Sequence, residues 1–144
     1  MKVEISIVIE QPVETVFAYV TNLENFPQWI SETLAARFTT EGAVGVGSMA
    51  MVTKSLRGRK VEVKTEIVAF EPNKLMRART TQGRAPVNVE YIFEPVQGGT
   101  KLTRLAEGEV PEALKLAMPL ITQRYRRAWQ NNFATLKKVL EAQK

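Results

Sequence analysis

The sequence predicts an α+β domain in which one strand and two short helices lead into an antiparallel meander that is closed by a single long helix, β-α-α-β6-α in order. Three patterns carry this. The first ten residues alternate apolar and polar side chains at the period of a strand. Strand-like runs separated by turn residues then follow one another with no helical spacing between them, giving about seven strands in all. From residue 112 onward the apolar spacing becomes helical and stays so to residue 143.

Each element has a local reason. Val3, Ile5, Ile7 and Ile9 alternate with Lys2, Glu4, Ser6 and Glu10, so the first strand has one apolar and one wet face. Pro12 opens a helix where its missing N–H costs least, and Val13, Val16, Phe17 and Val20 form its apolar face. Pro27 disfavours helical dihedrals at Phe26, so 22–29 is a turn and a second short helix. Further strands are expected near 33–40, 47–56, 60–70, 74–82, 86–95 and 100–108. The separators are 41–46, 56–59, Glu71-Pro72-Asn73, Gly83-Arg84 and Gln97-Gly98-Gly99. Val61, Val63, Thr65 and Ile67 share one face, as do Val87, Val89, Tyr91 and Phe93, so one side of the sheet is covered. The cover is the last helix, whose stripe runs through Leu114, Met118, Ile121, Tyr125, Trp129, Leu136 and Leu140, with a kink or a loosely wound start at Pro119.

These residues also carry a resemblance. Ile9, Pro12, Val13, Val16, Phe17, Val20, Asn22, Phe26, Pro27 and Trp29, then Gly45-Val46-Gly47-Ser48, Phe70-Glu71-Pro72, Tyr91, Phe93-Glu94 and Gly98-Gly99-Thr100, resemble the START-like, or SRPBCC, helix-grip superfamily in its polyketide cyclase/dehydratase-like branch. The likeness spans nearly the whole chain and implies a single domain over 1–144. Its implied architecture is a curved sheet gripping the C-terminal helix around an internal cavity. Most matching positions are apolar, Gly or Pro, which shape a scaffold and leave the activity open.

Composition narrows the chemistry. At 144 residues the chain is long enough to bury a core without a staple. It has no cysteine and no histidine, and every acidic residue is a glutamate. Thiol nucleophiles, disulfides, Ser-His-Asp triads and His- or Cys-ligated metals are therefore excluded. Gly42, Gly45 and Gly47 lack the spacing and the following helix of a phosphate-binding loop. No cofactor and no metal is expected. The absence of cysteine and of a long apolar run points to a cytoplasmic protein without a transmembrane segment.

Within the expected cavity, bulky Trp129, Phe133, Leu136 and Leu140 close one half of the space against the first helix. Leu114, Ala117, Met118, Ile121 and Tyr125 leave room in the other, although a solid core is the plainer alternative. Period-two counting turns Tyr91, Arg104 and Thr65 inward, and Asn132 joins Tyr125 on the helix. The tyrosines could equally be core aromatics, and Asn132 a tie for the short helices. An inward guanidinium at Arg104 requires either an anionic ligand or a glutamate such as Glu90 or Glu107. The candidate ligand-binding residues are thus Tyr91, Arg104, Leu114, Met118, Ile121 and Tyr125. Alternate turns of a meander share one end, which places Arg57, Arg59 and Arg84 around the cavity mouth. Within a net charge of +5, they make a cationic rim or simply solvated hairpin tips.

Three functions follow. The first is binding, transport or sequestration of a small hydrophobic or amphipathic ligand, including an anionic one. The second is a cyclase or dehydratase on an aromatic or polyketide-like substrate, with Tyr91, Tyr125 and Arg104 polarising a carbonyl. The third is a nucleic-acid, ribosome or membrane contact through Arg124, Arg126, Arg127, Lys137 and Lys138, a weaker reading because no aromatics interleave with these charges on an exposed sheet. Sequence leaves catalysis undecided, and both a monomer and a homodimer are compatible with it.

Overall fold

The computed structural model describes residues 1–82 and 85–143. The N-terminal alternation is strand β1 (Lys2–Ile9), with Val3, Ile5 and Ile9 buried. Helix α1 (Val13–Thr21) follows with Pro12 at its cap and buries Val13, Val16, Phe17 and Val20. A 3₁₀ turn over Leu23–Asn25 leads into the single-turn helix α2 (Phe26–Trp29). The meander is β2 (Thr33–Phe38), β3 (Met49–Leu56), β4 (Arg59–Glu71), β5 (Leu75–Gln82), β6 (Ala85–Val96) and β7 (Gly99–Gly108). All seven strands form one antiparallel sheet in the order β1-β7-β6-β5-β4-β3-β2. The Gly83-Arg84 turn expected from the sequence lies outside the described residues, which include the strands on either side of it.

The sheet is open, with β1 and β2 at its edges. At the β1 edge, side chains of the C-terminal helix α3 (Met118–Glu141) occupy free backbone groups. Arg126 Nη1 donates to the Glu4 carbonyl at 2.8 Å, Lys137 Nζ to the Val8 carbonyl at 2.7 Å, and Glu141 accepts from the Glu10 amide at 2.9 Å. An edge so covered cannot template another strand. Where β1 meets β7, Gly99 adopts φ +146°, and a Cβ there would collide with the Ile9 carbonyl oxygen; only glycine fits.

The last helix begins later than its apolar stripe suggests. Residues Glu112–Ala117 wind as a 3₁₀ turn, and the α-helix starts at Met118 with Pro119 in its first turn. The pyrrolidine ring excludes an α-helical bond back into the preceding turn, so of the two expectations at Pro119 the loosely wound start is the one realised. From there α3 runs along β1 and α2. Its C-terminal half is sealed: Phe133, Leu136 and Leu140 are buried in one cluster with Val16, Phe17, Val20, Leu23, Phe93 and Leu102. Phe17 meets Phe70 and Phe93 edge-on at centroid distances of 5.2 and 4.9 Å.

Candidate functional site

Across the middle of the helix–sheet space stands an aromatic partition. Trp29, delivered by the Asn-Phe-Pro-Gln-Trp turn, packs against Trp129, Phe133 and Tyr91 at centroid distances of 5.9, 6.1 and 6.4 Å. Asn132 fixes this arrangement, because its Oδ1 accepts from the Ser31 amide at 3.1 Å just beyond α2. Trp129 continues the wall to Tyr125 at 6.2 Å. Beyond the partition, towards the start of α3, a cavity of about 400 Å³ remains between helix and sheet. That size falls among small-molecule sites, which span roughly 300–1,000 Å³.

The cavity walls are apolar on most sides: Ile30, Val52, Ala78, Val87, Val89, Ile121 and Ala128. Its buried charged group is Arg104. Antiparallel pairing sets Arg104 of β7 directly opposite Tyr91 of β6, both on the inward face and both buried. Arg104 Nε donates to the Tyr91 hydroxyl at 3.1 Å, and Nη1 donates to the Tyr125 hydroxyl at 2.7 Å. The guanidinium lies 3.4 Å above the Trp129 ring centroid, a stacked cation–π contact. Neither glutamate considered from the sequence reaches it. Glu90 pairs with Arg77 and Glu107 with Lys2, both on the opposite face of the sheet. Among the described residues Arg104 has no carboxylate partner.

This cluster has a defined polarity. A hydroxyl that accepts from a guanidinium must aim its own proton elsewhere, and neither phenol proton has a protein acceptor among the described residues. Burial pushes the Tyr91 hydroxyl above its ordinary pKa of 10.0, against the opposing pull of the Arg104 charge, so the phenol remains a donor. Arg104 is charged at any ordinary pH. One cation and two phenolic donors therefore converge within the chamber.

Four of the six candidate binding residues, Tyr91, Arg104, Ile121 and Tyr125, are brought together at the cavity. Leu114 and Met118 are not. Leu114 lies on the 3₁₀ turn with 48% of its surface exposed, and Met118 faces a separate depression beside Met1, Pro86 and Gly108. The change of helical pitch over Glu112–Ala117 rotates Leu114 out of the 100°-per-residue stripe, whereas Met118 is the first residue of α3 and its place outside the cavity has no such explanation. Arg57 and Arg59 are exposed at the β3–β4 turn and do not line the cavity. Arg57 has φ 52°, ahead of Gly58 at 77°, so its place is set by the turn. Arg84 lies outside the described residues. The charged groups that do line the opening region are Glu32, Lys54 and Arg124.

Sequence reading passed over Lys54 and Thr33. Lys54 shares the inward parity of Ala50 and Val52 on β3, but Met49 and Met51 make the opposite parity equally apolar and hide the signal. Thr33, across from Lys54, precedes a bulge that breaks the alternation of β2. Trp129 was legible as a core residue, and its use as a platform for Arg104 was not.

No helix among the described residues is long and apolar enough to cross a membrane, and none of their acidic side chains group into a metal site. An open antiparallel sheet folded around one long helix, with a chamber between them, defines the helix-grip class. The chain belongs to the family described as polyketide cyclase / dehydrase and lipid transport, whose profile matches residues 1–141. Solved structures agree on the fold. A START superfamily protein from Mycobacterium smegmatis superposes with a TM-score of 0.81 at 16% identity, covering 99% of both chains. TTHA0849 from Thermus thermophilus gives 0.78 at 17%, covering 99% of this chain and 98% of that one. Ara h 8.0201 gives 0.70 at 18%, with 99% and 98% covered. None of the curated proteins matches the chain in sequence.

Proposed function

We propose that this protein binds a small amphipathic molecule, holding its apolar body between α3 and the sheet and its oxygen-bearing head, a carboxylate or a polarised carbonyl, on Arg104, Tyr91 and Tyr125. The observation that carries this reading is a buried guanidinium whose hydrogen-bond partners are two phenols. An uncompensated buried cation is costly, and a ligand anion at that point would offset the cost. The two phenol protons would donate to the same oxygen. Membership of a family whose description includes lipid transport accords with an apolar cargo.

Trp129 supplies a built-in reporter, because a head group reaching Arg104 disturbs the ring stacked beneath it. Titration of the tryptophan emission with dodecanoate and with dodecanol tests the reading. Dodecanoate should bind at least about tenfold more tightly, a difference of about 1.4 kcal/mol, and Arg104→Met should abolish the preference. Equal affinities for acid and alcohol in the wild-type protein would refute it. Native mass spectrometry of the freshly purified protein, with denaturing extraction, then identifies any cargo.

The same geometry favours a second reading, catalysis on a carbonyl substrate. Two phenolic donors beside a fixed cation are arranged to stabilise an oxyanion as it develops. Turnover of a poly-β-ketone surrogate that disappears in Tyr125→Phe while binding persists would separate an enzyme from a carrier.

A further inference from the structure

A second reactive group faces the same cavity. Lys54 of β3 lines it near enough to Arg104 to feel that charge, and its ammonium makes no hydrogen bond or ion pair among the described residues. Directly across the β2–β3 ladder stands Thr33, whose buried hydroxyl is one of only two buried side-chain polar atoms without a partner among the described residues. Glu32, next along the chain, lines the opening beside them. The result is a primary amine, a carboxylate and an unsatisfied hydroxyl around an apolar chamber that already holds a guanidinium.

We propose that Lys54 is a nucleophilic amine that captures an aldehyde- or ketone-bearing ligand as a reversible imine inside the cavity. This deepens the binding reading, since the captured molecule occupies the same chamber. The environment suits the chemistry. Burial, and then the charge of Arg104, lower the Lys54 amine below its ordinary value of 10.5, with Glu32 acting in the opposite direction. Desolvation and a neighbouring cation are the two means by which a lysine is made nucleophilic near neutral pH. The step balances without an oxidant or reductant. The nitrogen lone pair forms the C–N bond, the carbonyl π pair goes to oxygen, and one proton passes from nitrogen to that oxygen. The resulting carbinolamine then loses its hydroxyl and the remaining N–H proton as one water, leaving C=N. Glu32 is placed to carry protons between the two atoms, and the Thr33 hydroxyl to hydrogen-bond the carbinolamine oxygen.

Reductive trapping tests this on the full chain. The protein is incubated at neutral pH with substoichiometric nonanal and sodium cyanoborohydride, followed by intact mass measurement and peptide mapping. The expected result is a single alkyl addition, at Lys54, at least about tenfold faster than at any surface lysine. Lys54→Arg keeps the charge and approximate length of the side chain but cannot form the imine; the addition should vanish while dodecanoate still perturbs Trp129. Lys54→Met, which also removes the charge, guards against a folding artefact in the first variant. Label spread over exposed lysines, or confined to the Met1 α-amino group, or unchanged in Lys54→Arg, would overturn the proposal. Those outcomes leave the carboxylate preference of Arg104 untouched, so failure of the imine and failure of the binding reading are told apart by the dodecanoate titration.

Discussion

The two halves of the interface between α3 and the sheet are built from the same helix and the same strands, yet one is solid and the other hollow. In the C-terminal half, Phe133, Leu136 and Leu140 meet α1, which fills the space between helix and sheet with Val16, Phe17 and Val20. Towards the N-terminal half no α1 intervenes; Ile121 and Ala128 face the strands across the chamber, which the Tyr125–Arg104 hydrogen bond spans. The cavity is therefore a consequence of where the short helices stop. Trp29, at the end of α2, marks that limit, and Asn132 pins it by holding the chain just after the helix. The sealed aromatic and aliphatic core lies on one side of Trp29 and the chamber with Arg104 on the other.

Substitutions that treat the halves alike should expose this division. The greatest loss is expected from Leu136→Ala, which empties a fully buried site in the sealed half and should cost about 2–5 kcal/mol in urea-induced unfolding. Ile121→Ala, facing the cavity and only half-buried, should cost less than about 1.5 kcal/mol by the same measurement. Similar losses at the two positions would mean that the chamber is collapsed in solution. Next is Arg104→Met. Removing an uncompensated buried cation in favour of an apolar chain should leave stability unchanged or raise it by about 1–4 kcal/mol, while the preference for carboxylate ligands disappears. A marked loss of thermal stability in that variant would show that the two phenols and Trp129 compensate the charge without a ligand.

Smaller again is Tyr125→Phe. It removes one acceptor from Arg104 at the cavity surface and should cost about 0.5–1.5 kcal/mol. Ligand affinity should fall with it, whereas Phe70→Leu in the sealed half should leave affinity unchanged. The weakest signal is a pH dependence. Below 10.5 the folded chain holds the Lys54 amine less protonated than the unfolded chain does, so stability should decline as pH falls through that window, and Lys54→Met should lack this component. Chemical denaturation of the two proteins in parallel between neutral pH and pH about 10.5 isolates it. A variant whose curve parallels the wild type would place the amine in bulk-like surroundings.

Much of the architecture was legible in the sequence because it depends on short-range rules. Period-two alternation, Pro and Gly positions and one helical stripe account for the succession of strands and for the helices, and Pro119 left a kink or a loosely wound start as the alternatives. Arg104, Tyr91 and Tyr125 were found because strand parity and helix angle are local quantities. Leu114 was misplaced for the same reason: constant helical pitch was assumed through residues that wind as 3₁₀. Arg57 and Arg59 reach the correct end of the sheet, but a turn at positive φ points them to solvent.

Local patterning thus specifies an antiparallel meander with one apolar face and a long covering helix, the resemblance implies the helix-grip arrangement, and composition excludes thiol, imidazole and His- or Cys-ligated metal chemistry. It takes the assembled fold to rest the guanidinium of Arg104 on two phenols and an indole, and to bring Lys54 and Thr33 into its chamber. These groups come from β2, β3, β6, β7 and α3, elements far apart in the chain. Their distances follow from sheet register, curvature and the stop imposed by Trp29. No local pattern encodes those quantities, because each is set by contacts between residues that the sequence keeps apart.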